Sequence, residues 1–148
     1  MGVKRLRPLP VTVVEGDDFI LVAQHLHADK TTEGGRIIQA DYTDYGITIE
    51  RIGTDKLSIY SLLNQTPLSD VVETTSRTAA SLIDDELWDY GGDPPGHNVK
   101  VVFKVSNLSP SSMEGGRQYL FKLILDGGST YGTETVRWII SVLSPDAV

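Results

Sequence analysis

The chain has 148 residues, 40% hydrophobic and 22% charged, with no cysteine and a formal net charge of −7. That is the size and composition of one globular domain, and no apolar run approaches the roughly eighteen residues a membrane span needs. Disulfides and thiolate zinc sites are excluded. Lys4, Arg5 and Arg7 hold three of the 13 basic side chains, so residues 8–148 carry 10 basic against 20 acidic groups. Such a body repels nucleic acid, whose phosphates need a basic face.

The first stretch, MGVKRLRPLPVTVVEGDD, has basic residues but no apolar core before its prolines, so it does not read as a secretory signal. Pro8 and Pro10 stiffen it into an extended form. Residues 1–16 are expected to be an arm or an edge strand. Their basic start is either a solvated tail or a short arm that docks on an acidic neighbouring subunit.

FILVAQHLHA (19–28) alternates as a strand, TTEGG supplies a turn, and YGITIERIG (45–53) and KLSIYSLL (56–63) read as further strands. The pattern then loosens. Thr66-Pro67 can start a helix, and 78–87 reads as a short helix or turn. YGGDPPGHN (90–98) reads as a loop, because its glycines and prolines break regular structure. Val99, Val101, Phe103 and Val105 alternate with Lys100, Val102, Lys104 and Ser106. The clearest signal follows in YLFKLILDGGSTYGTETVRWIISVL (119–143), where Tyr119, Phe121, Leu123 and Leu125 share one face, as do Val136, Trp138, Ile140 and Val142. Gly127, Gly128 and Gly132 can supply positive φ in the turn between them. These three runs predict a C-terminal meander. Six or seven short strands with little helix predict an all-β, antiparallel β-sandwich spanning 17–148.

Candidates for chemistry are few. His25 and His27 lie two residues apart on one strand face with Asp29 in the same register, a possible three-ligand metal edge. The competing reading is the solvent-facing side of a strand that buries Ile20, Val22 and Leu26, and no metal is assigned. Asp84, Asp85, Glu86, Asp89 and Asp93, with Asn98, form a stretch able to gather oxygen ligands for calcium, but without the alternating spacing of an EF-hand. A solvated loop is the favoured reading there. GxSxG, P-loop and HExxH motifs are absent, and so is a cysteine nucleophile. The chain is therefore expected not to be an enzyme and to need no cofactor. Two sequons, Asn64-Gln65-Thr66 and Asn107-Leu108-Ser109, carry no meaning without a secretory signal. Tyr42, Tyr45, Tyr60, Trp88, Tyr90 and Tyr131 suit either a sugar-binding groove or, the preferred reading, core and subunit-interface anchors.

FILVAQHLHADKTTEGG followed by RIIQADYTDYGITIERIG, then DELWDYGGDPPGHNVKVVF, GGRQYLFKLIL and ETVRWIISV, resembles the small immunoglobulin-like proteins encoded among the structural genes of tailed bacteriophages. The resemblance spans about residues 17–144. Arg117-Gln118-Tyr119 is similar to the approach to the penultimate strand of such folds, where a tyrosine pins the corner. The cysteine pair and core tryptophan of antibody domains are missing. The resemblance implies an immunoglobulin-like fold and a decoration, cement or adaptor role in a virion assembled in the host cytoplasm. It implies other virion proteins as partners, with multiple copies or a homo-oligomer, and neither nucleic acid nor membrane. The residues expected at partner contacts are Lys4, Arg5, Arg7, Trp88, Tyr90 and Tyr131. The competing reading is a carbohydrate-binding module for host-surface glycans.

Overall fold

A computed structural model of the chain describes residues 8–27, 29, 37–72, 99–108 and 112–147. They are mostly β-strand. The expected helix or turn at 78–87, the loop at 90–98 and the acidic stretch 84–98 lie outside the described residues. The described residues hold seven strands: β1 (Leu9–Val14), β2 (Phe19–Ala23), β3 (Asp44–Arg51), β4 (Ser58–Gln65), β5 (Val99–Phe103), β6 (Gln118–Asp126) and β7 (Thr133–Leu143). They form a five-stranded sheet in the order β1-β7-β6-β3-β4 and a two-stranded sheet, β2-β5.

The strongest sequence signal gives the strongest pairing. β6 and β7 run antiparallel in continuous register from Gln118↔Ser141 to Asp126↔Thr133. Their alternation drives Tyr119, Phe121, Leu123, Leu125, Val136, Trp138, Ile140 and Val142 to one buried face, because successive strand side chains point to opposite sides. The turn between them is α1 (Gly128–Tyr131), a single helical turn. Gly128 and Gly132 take positive φ of 62° and 67° there, angles that glycine adopts without a Cβ clash.

The expected meander does not form. β5 alternates as read, with Val99, Val101 and Phe103 buried, but it pairs with β2 in the second sheet. Alternation fixes which face of a strand is buried and leaves the partner strand open. The long connection from β5 to β6 lets the chain change sheets.

Residues 9–14 of the expected N-terminal arm belong to the five-stranded sheet. β1 pairs with β7 in parallel, Leu9 opposite Trp138 through Val14 opposite Leu143, so the sheets are not wholly antiparallel. Proline is tolerated in β1 for a reason of phase. Glu15 donates its N–H to the Leu143 carbonyl at 2.8 Å. The period of two therefore aims the odd-numbered N–H groups at β7 and the even positions outward. Pro10 occupies an outward position at a sheet edge, where its missing N–H costs no ladder bond and discourages a further strand from adding.

A turn at residues 15–18 carries the chain from one sheet to the other. Asp17 donates its N–H to the Val14 carbonyl at 3.0 Å, and the Asp18 Oδ1 accepts the N–H of Val105 at 2.9 Å, tying the turn to the end of β5. The two inner faces share one core of aromatic rings. Phe103 stands 5.5 Å from Phe121 and 5.3 Å from Tyr60, both edge-on, and Phe121 meets Trp138 at 5.9 Å. Trp138 is fully buried, and its Nε1–H donates to the Val22 carbonyl of β2 at 3.1 Å. This bond crosses from one sheet to the other and satisfies the one polar atom of the largest core side chain.

β2 reverses the face assumed for it. Phe19, Leu21 and Ala23 are buried while Ile20 is 46% exposed, so Ile20 and Val22 are not the buried set. FILVA is apolar at every position, and period two cannot orient a strand with no polar phase. The core decided it: Phe19 stacks on Phe103 at 5.3 Å.

Candidate functional site

The corrected phase of β2 carries through to the residues after it. His25 falls in line with Phe19, Leu21 and Ala23 and is 1% exposed, the buried polar side chain of this core. The expectation that this histidine faces solvent is therefore overturned. His27, two residues on, points the same way and is partly buried. Across from them, Glu134 is the second residue of β7. By alternation it shares the inward face of Val136 and Trp138, an unusual place for a carboxylate unless it is paired.

One carboxylate serves both imidazoles. The Nε2 of His25 lies 3.2 Å from Glu134 Oε2 and the Nε2 of His27 lies 2.9 Å from Oε1, with the side chains 2%, 14% and 19% exposed for His25, His27 and Glu134. Each ring donates an Nε2–H to its own oxygen. Asp29 donates its backbone N–H to His27 Nδ1 at 3.1 Å. That contact makes Nδ1 an acceptor and places the ring proton of His27 on Nε2.

Tyr131 of α1 closes over the cluster, its ring centroid 4.9 Å from that of His27 at an interplanar angle of 65°. Tyr42 lies beneath, buried, with no hydrogen-bond partner for its hydroxyl among the described residues. Burial pushes the Tyr42 phenol far above its ordinary range, and the charges of Glu134 and Asp41 add to the rise. Asp41 is held in place as its Oδ2 accepts the N–H of Ile38 at 2.8 Å. The segment after β2, the connection ahead of β3 and the β6–β7 turn thus converge on Glu134 at one end of the molecule.

Asp29 contributes its backbone rather than its carboxylate, so the three-ligand metal edge does not form. Among the described residues no group of three His, Asp or Glu side chains is arranged to hold a metal ion. Nor do the described tyrosines make an exposed stacking row. Tyr42 is in the core, Tyr60 is half-buried against Phe103, and burial together with Asp70 raises the half-buried Tyr45 phenol. Tyr131 is brought to the cluster, whereas Lys4, Arg5, Arg7, Trp88 and Tyr90 lie outside the described residues. No described helix is long and apolar enough to cross a membrane.

Glu134 was the residue that sequence reasoning missed. Its signal was present, a charge in the inward phase of the most regular strand, but its partners are more than a hundred residues away. Compared with known proteins, the chain has no matching family model, no matching curated protein and no matching solved structure.

Proposed function

We propose that the chain is an immunoglobulin-like β-sandwich serving as a non-enzymatic structural component of a tailed-phage virion through protein–protein contacts. The fold reading draws on strand order. If β2 to β7 are taken as strands B, C, C′, E, F and G, then C, F and G are neighbours in one sheet and B and E pair in the other, as in immunoglobulin domains.

The observation that carries the reading is Tyr119. It is buried at the start of the strand equivalent to F, and its hydroxyl accepts the backbone N–H of Glu114, five residues upstream, at 2.9 Å. A tyrosine at this place that hydrogen-bonds the backbone a few residues upstream is a mark of immunoglobulin-like folds, and it supports that reading. The non-enzymatic part of the reading draws on the polar cluster, whose imidazoles and carboxylate are spent on one another. The contact surface is assigned to the loops at the Glu134 end together with the basic residues Lys4, Arg5 and Arg7.

Size-exclusion chromatography with light scattering on the full chain, with and without calcium, tests the reading. A trimer or larger ring, unchanged by calcium, is the expected result. A monomer that binds glycans on an array, and loses that binding on Trp88→Ala, would replace it with a carbohydrate-binding module.

A further inference from the structure

We infer that the outward side of β6 and β7 is an interface between copies of this chain, and that it receives the acidic stretch Asp84, Asp85, Glu86 and Asp89 of a neighbouring copy. The inference deepens the proposed role and rests on its multiple-copy part alone. A face that meets a different surface of the next copy makes a head-to-tail contact, the kind that closes into a ring.

A sheet with one solvated side alternates cleanly between apolar and polar residues. β3 does so, with Asp44, Thr48 and Glu50 in its outward phase. β6 and β7 do not. Leu120 stands opposite Ile139 on the outward side, and Leu143 at the end of β7 is 39% exposed. Ile124 continues the apolar surface through Gly46 to Leu63, which lies over that glycine and is 53% exposed. The described elements packed against β6 and β7 are their sheet neighbours β1 and β3, with β2 and β5 on the inner side.

Two cations sit in the middle of this apolar surface. Lys122 and Arg137 are directly opposite each other, a placement that brings Cβ atoms to about 5 Å and is unfavourable for like charges. Glu50 Oε1 comes within 3.9 Å of the Lys122 Nζ, whereas Arg137 is exposed and makes no ion pair with a described residue. Residues 8–148 carry 10 basic against 20 acidic groups, so a second copy approaches these two cations with mostly opposite charge. The sequence DDELWD at 84–89 offers the matching chemistry: four carboxylates for the cations, with Leu87 and Trp88 for the apolar surface around them. Tryptophan is among the side chains that most often anchor such contacts.

Exchange of charge tests the contact on the full chain, read by size-exclusion chromatography with light scattering. Lys122→Glu with Arg137→Glu alters the face, and Asp84→Lys with Asp85→Lys alters the stretch. Each double variant alone should self-associate more than about tenfold more weakly than the unaltered chain. Mixed in equal amounts the two should recover the association, because each then meets the opposite charge it lost. A face variant that associates like the unaltered chain overturns the inference and leaves the proposed role standing. Two variants that dissociate and do not recover on mixing overturn it as well. An unaltered chain that is monomeric at every concentration removes both this contact and the ring. Carbodiimide cross-linking of ¹⁵N-labelled with unlabelled chain, read by mass spectrometry, should join Lys122 to an acid of 84–89 in another copy, and links confined to one chain count against the inference. If a variant does not fold, that cross-link, made on the unaltered chain, decides.

Discussion

β7 is tied to the chain of β2 at two places, and the two ties rest on different physics. In its middle, Trp138 lies in an apolar core against Phe121 and sends one indole N–H to the Val22 carbonyl. At its start, Glu134 reaches the same chain three to five residues further on, at His25 and His27, through a carboxylate shared by two rings. The first tie gains from burying a large ring and asks little of pH. The second has to offset the desolvation of a charge and two polar rings. One strand thus carries both a permanent, apolar joint and a polar one, and the polar one sits where loops converge.

Trp138→Ala should break the permanent joint at the greatest cost, about 3–5 kcal/mol for truncating a large core aromatic. Urea unfolding measures it, and a near-wild-type midpoint would mean that the ring is not in the core. Glu134→Ala attacks the other joint and should cost less, about 1–3 kcal/mol, for leaving buried donors without their acceptor. A loss as large as that of Trp138→Ala would deny the difference between the two joints.

Tyr119→Phe keeps the buried ring and removes only the acceptor for the Glu114 N–H, so about 0.5–1.5 kcal/mol is expected by the same urea measurement. A loss as large as that of Trp138→Ala would show that the corner acts by more than one hydrogen bond. Tyr42→Phe should be the mildest, neutral or slightly stabilising, because it removes a buried hydroxyl without a partner among the described residues. It also has an alkaline signature. The folded phenol resists ionisation, so the stability it contributes is complete below the unfolded value of about 10 and is lost as pH rises beyond it. Melts at pH 9 and 11 should show the unaltered chain falling more steeply than Tyr42→Phe, and parallel curves would contradict the assigned burial.

The strands of this protein were legible wherever one phase was apolar and the other polar. In β6 and β7 the sequence named the apolar inward residues from Tyr119 to Val142 before any pairing was known, though not Glu134 among them. β2 was not legible in this way, since Phe19 through Ala23 are apolar on both faces, and the wrong phase there also hid the burial of His25. Tyr119 stood out in a short local pattern at the head of β6, whereas its bond to the Glu114 N–H appeared only in the structure. The polar cluster was not legible, because Glu134 and His25 meet only across two sheets.

The sequence by itself determined the β-rich class, the faces of the regular strands and the tight glycine turn at 127–132. All of these follow from side-chain period and local backbone sterics. Tertiary structure alone decided that β5 joins β2 rather than β6, that residues 9–14 close the edge of the larger sheet in parallel, and that one carboxylate gathers two histidines. Each of these is a choice among partners far apart in the chain, set by how two sheets fill one core, and local periodicity does not record it.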